Sequence, residues 1–155
     1  MKQQGFSLVE LIITLVILGT LAVTVVPKFF TNETFDSYEF RDRTLTILRT
    51  MQLRAMQNTS NTMSHKVCIS ASQIAPAQTN NCTSLALNFA YLVLNIPTNS
   101  TATRVRAMDS NNAAFSEIEF DDFGRPNLNC ITNCKIDFGD ADICISEQGG
   151  IYACE

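Results

Sequence analysis

From Leu11 to Val26 the chain runs for sixteen residues without a charge, and only Thr14, Gly19, Thr20 and Thr24 dilute its apolar character. Counted from Phe6, 21 residues precede Pro27. As a helix that is roughly 30 Å, the thickness of a bilayer's hydrocarbon core. A cleaved secretory signal and a plain signal anchor both begin this way. The first needs a small-x-small cleavage site after the apolar stretch, but Pro27, Lys28, Phe29 and Phe30 follow instead. The second leaves Glu10 unexplained. A carboxylate inside a membrane helix costs roughly 2.5–3.5 kcal/mol on insertion scales, so it is a functional candidate that needs a partner. If Met1–Gly5 were removed, Phe6 would carry a free α-amine. Glu10 stands four positions further on, on the same helix face. Amine and carboxylate can then neutralise each other, within one chain or between neighbours.

Gly5-Phe6-Ser7-Leu8-Val9-Glu10 followed by an apolar helix resembles the class III signal of type IV pilins and type II secretion pseudopilins. The resemblance implies that prepilin peptidase cuts between Gly5 and Phe6 and methylates the Phe6 amine. It also implies that Glu10 is the carboxylate used in filament assembly. The implied partners are other pilin or pseudopilin subunits, the peptidase and an inner-membrane assembly platform. The implied location is a single-pass inner-membrane protein with a periplasmic head, which then passes into a pilus at the cell surface. Lys2 in the leader agrees with the positive-inside rule. The organisation expected is a leader over 1–5, a transmembrane and filament-core helix over 6–28, a stem helix over 29–62 and a β-rich head over 63–155.

Pro27 lacks the N–H that a helix interior needs, so a kink or an end is expected there. Beyond it Phe35, Tyr38, Leu45, Leu48, Met51 and Ala55 recur at three- and four-residue steps, with a gap at Arg41 and Asp42, and predict an amphipathic stem helix. Asn58 to Thr62 is polar and turn-prone and should break it. After His65 the period changes to two. Val67 and Ile69, then Leu85 to Val93, Val105 and Ala107, Ile118 and Phe120, Ile136 and Phe138, Ile143 to Ile145, and Ile151 with Tyr152 read as short antiparallel strands. The fold class is therefore α+β, a long N-terminal helix packed on a small antiparallel sheet.

All six cysteines lie in the head: Cys68, Cys82, Cys130, Cys134, Cys144 and Cys154. An even number beyond the membrane segment points to disulfides in an oxidising compartment. Fifteen pairings are possible, and local geometry favours the sequential one. Cys130 and Cys134 would close a tight loop, and Cys144 would stand opposite Cys154 across a Gln148-Gly149-Gly150 loop. No CxxC pair is present, which argues against zinc and thiol redox chemistry.

Charge narrows the function further. The net charge is −4, and from Asp109 onward ten acidic residues meet only Arg125 and Lys135. That balance argues against a nucleic-acid surface. A single histidine excludes multi-histidine metal centres within one chain, and no cofactor is expected. Asp137, Asp140 and Asp142 are a calcium candidate by composition, but they lack EF-hand spacing and read better as a solvated acidic loop. A tethered periplasmic enzyme would need a nucleophile–base pair that the sequence does not offer, so no enzyme activity is expected. A second resemblance covers the head. Arg49 to Met56, Val67-Cys68-Ile69, Cys82, Ile118 to Gly124 and the Gly149-Gly150 turn are similar to H-type minor pilins and pseudopilins, most of all minor components of the mannose-sensitive haemagglutinin pilus. That resemblance implies a minor, adhesive or fibre-initiating subunit.

Overall fold

The structure, a computed structural model, describes residues 7–25, 32–57, 65–78, 81–82, 92–97 and 105–154. Two compact units result, Met1–Asn32 and Glu33–Glu155.

The first unit contains α1, Leu8–Val25. Ser7 stands at its N-cap, and its carbonyl accepts the Leu11 N–H at 3.2 Å. Thr14 and Thr20 donate their hydroxyls to the Leu11 and Ile17 carbonyls, each at 2.9 Å. In this way these two hydroxyls of an otherwise oily rod are satisfied within it. Among the described residues no helix is long and apolar enough to cross a membrane. The span expected over 6–28 is longer than this helix, whose 18 residues rise only about 27 Å. Phe6 and residues 26–28 lie outside the described residues.

In the second unit α2, Asn32–Gln57, carries the stem stripe. Its buried positions are Ser37, Phe40, Thr44, Leu45, Ile47, Leu48, Met51 and Ala55. The expected gap is filled by Phe40 and Thr44, while Tyr38 turns out to solvent. Two small polar residues take buried positions here, and for Ser37 the reason is the close approach of the helix to backbone of the head. Ser37 donates its hydroxyl to the Phe138 carbonyl at 2.9 Å. The side chain of Phe35 and the helix-breaking residues 58–62 lie outside the described residues.

Among the described residues eight strands follow: β1 Lys66–Ile69, β2 Gln73–Pro76, β3 Leu94–Asn95, β4 Arg106–Met108, β5 Glu117–Glu119, β6 Cys134–Asp137, β7 Asp142–Ile145 and β8 Ile151–Cys154. They form two four-stranded antiparallel sheets rather than one, in the orders β3-β2-β1-β5 and β4-β6-β7-β8. One core joins them to the stem, with Leu48 of α2, Val67, Ile74 and Ile118 of the first sheet, and Ile136, Ile143 and Ile145 of the second all fully buried. β1 is buried along its whole length, not on one face only. Strand β2 has no alternating apolar pattern and ends on Pro76, so the sequence does not announce it. The strand expected over 85–93 falls mostly outside the described residues.

Candidate functional site

Along α1 every large apolar side chain from Leu8 to Leu21 is at least half exposed, between 51% at Ile12 and 74% at Leu8. Glu10 sits in the first turn of this helix and is exposed. A carboxylate there faces the positive end of the helix dipole, an interaction worth about 0.3–1 kcal/mol. That gain is several-fold smaller than the cost of placing an unpartnered carboxylate in hydrocarbon. Helix geometry alone therefore does not account for Glu10 if this surface is buried. Gly5, Phe6 and Pro27 lie outside the described residues.

In the head the six cysteines form three disulfides, Cys68–Cys82, Cys130–Cys134 and Cys144–Cys154, with Cα separations of 5.6, 4.8 and 5.7 Å. The last hairpin differs from expectation in register. Cys144 pairs with Tyr152, and Cys154 pairs with Asp142, so the disulfide runs diagonally between non-facing residues. The cause is Gly149, at a φ of 85°. Its N–H reaches the Ser146 carbonyl and the Ser146 N–H reaches the Gly150 carbonyl, each at 2.9 Å. This is a three-residue loop, Glu147-Gln148-Gly149, ending on a left-handed residue. The Cys130–Cys134 loop uses Asn133 in the same way, at a φ of 83°.

The acidic residues are engaged singly. Asp137 accepts the Gly139 N–H at 2.6 Å, and Asp142 is ion-paired with Lys135. Lys135 is held above the ordinary lysine pKa by its hydrogen bond to Asp142, against the desolvation that lowers it. Among the described residues no group of three or more His, Cys, Asp or Glu is placed to hold a metal ion. The Asp137, Asp140 and Asp142 run therefore offers no convergent calcium cage. Asp121 organises the turn after β5. Its Oδ1 accepts the N–H groups of Phe123 and Arg125 at 3.0 and 2.7 Å, and its Oδ2 accepts Arg125 Nε at 2.8 Å. Desolvation pushes the Asp121 pKa up, but the Arg125 and Phe123 bonds together outweigh it and hold the carboxyl below the ordinary value.

A family profile described as the prokaryotic N-terminal methylation motif matches residues 1–26. The chain carries a class III signal of the type IV pilin kind. The matched residues include Gly5, Phe6, Glu10 and all of α1. No curated protein and no solved structure matches the chain. The pilin-type signal implies processing by prepilin peptidase and assembly with other pilin or pseudopilin subunits.

Two features of the site escaped sequence reasoning. Ser7-Leu8-Val9-Glu10 has the serine-x-x-glutamate spacing of a capping box, visible in the sequence, and the Leu11 N–H bond to the Ser7 carbonyl puts Ser7 at the N-cap. Gln52 had no signal of its own. Its Nε2 donates to the Gly124 and Gly149 carbonyls at 2.7 and 2.6 Å, tying α2 to a turn of each sheet.

Proposed function

We propose that the chain is a minor, non-catalytic subunit of a type IV pilus. In this reading prepilin peptidase removes Met1–Gly5 and methylates the Phe6 amine. The subunit waits in the inner membrane with its head in the periplasm, and an assembly platform then adds it to a filament that serves surface attachment. The observation that carries the reading is the methylation motif over residues 1–26, coincident with a helix whose apolar side chains have no cover. An oily rod ten large side chains long gains on the order of 10 kcal/mol or more when it leaves water for lipid or for its neighbours' helices. That gain outweighs the ~3 kcal/mol cost of Glu10 in an apolar setting. Passing from lipid to neighbouring helices brings no further hydrophobic gain, so helix packing and the pairing of Glu10 with a neighbour's Phe6 amine favour assembly, and that pairing sets the stagger. H-type minor pilins of the mannose-sensitive haemagglutinin pilus are the sub-class the head resembles in its layout.

Mass spectrometry of the mature protein extracted from membranes tests the processing. The expected result is a chain starting at Phe6 with one added methyl group. An intact Met1, or a new terminus after residue 26, rules the reading out. The type II secretion pseudopilins share the same signal, so the choice between the two machines rests on where the mature chain is found. Recovery in sheared surface pili supports the pilus, and recovery only in a periplasmic secretion filament supports a pseudopilin.

A further inference from the structure

The three disulfides differ in what surrounds their sulfurs. Cys130 and Cys134 are fully buried, and Cys68 is 6% exposed. In Cys144–Cys154 both partners are partly exposed. Cys82 is partly exposed too, but Glu117 Oε2 lies 3.5 Å from its Sγ. A carboxylate oxygen there repels an incoming thiolate, even with the other oxygen paired to Lys66 Nζ at 2.8 Å. Access and charge, two of the factors that set the rate of thiol–disulfide exchange, therefore single out the C-terminal bond.

The register of the second sheet names the neighbours of that bond. Cys144 of β7 stands between Lys135 on β6 and Tyr152 on β8. Two residues along, on the same face, Arg106, Asp137, Asp142 and Cys154 make a row across the sheet. Lys135 is ion-paired with Asp142, and Asp137 accepts the Gly139 N–H beside Arg106. The described charges on this face are thus balanced, Lys135 and Arg106 against Asp137 and Asp142, so their order along the face matters more than their sum. Glu155, next after Cys154, lies outside the described residues.

Displacement at sulfur is in line, with the thiolate entering opposite the bond that breaks. For attack on Cys154 that side is the outer side of β8, which closes the order β4-β6-β7-β8 and exposes Ala153. For attack on Cys144 it is the side of β6, where Lys135 stands. The leaving group points the same way. Cys144 departs opposite an ammonium, which lowers the pKa of a thiol and speeds its departure. Cys154 would depart opposite the Asp142 carboxylate. We propose that Cys144–Cys154 is a thiol-exchange site, at which an external thiolate adds to Cys154 and Cys144 leaves as a thiolate beside Lys135. The bond between the two Sγ atoms breaks, its electron pair stays on Cys144, and a mixed disulfide forms at Cys154. The incoming sulfur is oxidised as Cys144 is reduced, so no further oxidant takes part. The hairpin keeps its place during the exchange. Arg49 Nη2 donates to the Ile151 carbonyl at 2.9 Å, and Gln52 Nε2 to the Gly149 carbonyl at 2.6 Å.

The probe is 2-mercaptoethanol, a thiol on a neutral carrier, added to the full chain held in zwitterionic nanodiscs. Samples taken early are quenched with excess N-ethylmaleimide and mapped as peptides. The expected result is a mercaptoethanol disulfide on Cys154 and a maleimide on Cys144, formed at least ~10-fold faster than any opening of Cys68–Cys82 or Cys130–Cys134, whose buried sulfurs wait for local unfolding. The circular dichroism spectrum should not change. Lys135→Gln should slow the exchange several-fold, because the departing thiolate loses its cation. A merely structural lysine would have the opposite effect, since its loss loosens the hairpin and speeds attack. The proposal is overturned by equal or faster opening of Cys68–Cys82, by the adduct on Cys144 with the maleimide on Cys154, or by exchange that starts only in urea. An unchanged or faster rate in Lys135→Gln overturns it as well.

Discussion

Asp121 accepts from two backbone N–H groups and the Arg125 guanidinium, and this fixes how the turn after β5 responds to acid. Its pKa is lower in the folded chain than when unfolded, so its contribution is complete above the unfolded value and is lost as the pH falls through the folded one. Amide hydrogen exchange at Phe123, Gly124 and Arg125 should speed up, beyond the intrinsic pH effect, as the pH is lowered through the carboxylate range. Asp121→Asn should show that faster exchange already at neutral pH and remove the extra pH dependence. An unchanged protection pattern in the variant would mean that the backbone holds the turn without the carboxylate. In the sequence, Asp121-Asp122-Phe123-Gly124 is turn-forming chemistry. The clamp itself was not legible, since it depends on Arg125 folding back four residues later. Gly149 shows the same limit. Two adjacent glycines announce a turn, but only the backbone reveals that Gly149 is the left-handed one, and that choice sets Tyr152 rather than Cys154 opposite Cys144.

At the scale of elements, the stem helix was readable in outline and misread at one residue. Period-3.6 reasoning favours a large aromatic, so it selected Tyr38. The structure buries Ser37 and Phe40 and turns Tyr38 outward, where the Arg41 guanidinium lies 4.9 Å from the centre of its ring. Strands with a clear alternation, such as Ile143 to Ile145, were legible, whereas β2 was not, because it is short and lies in a segment without a polar face. The disulfides tie these elements with unequal effect. The Cys68–Cys82 loop spans 14 positions and the Cys130–Cys134 loop spans 4. On loop-closure entropy the first is worth about 3 kcal/mol and the second about 2 kcal/mol. Replacing Cys68 and Cys82 together by serine should therefore lower the urea midpoint of the head transition more than replacing Cys130 and Cys134. The reverse order would mean that burial outweighs loop length, since Cys130 and Cys134 are both fully buried.

At the scale of the whole molecule, a well-packed head is joined in sequence to a helix whose apolar surface has nothing within its own unit to cover it. This division was legible because an uninterrupted apolar run with one carboxylate is a statement about environment, independent of tertiary detail. How Glu10 acts was less legible, because two physical roles coincide at one position. Its spacing from Ser7 is that of a capping box, a local role that glutamine performs nearly as well as glutamate. As the counter-charge of a neighbour's amine it serves assembly, and glutamine cannot replace it, because the amine then stays uncompensated in an apolar core. Glu10→Gln separates the two. The variant should be cleaved and recovered in membranes at wild-type levels, while the ratio of filament-incorporated to membrane-held subunit falls at least ~10-fold, corresponding to a loss of about 1.4 kcal/mol or more. Because Glu10→Gln keeps the side-chain shape and its hydrogen-bonding capacity, such a loss is attributable to charge. Wild-type incorporation would assign Glu10 to helix capping and leave the stagger of neighbouring subunits to apolar packing alone.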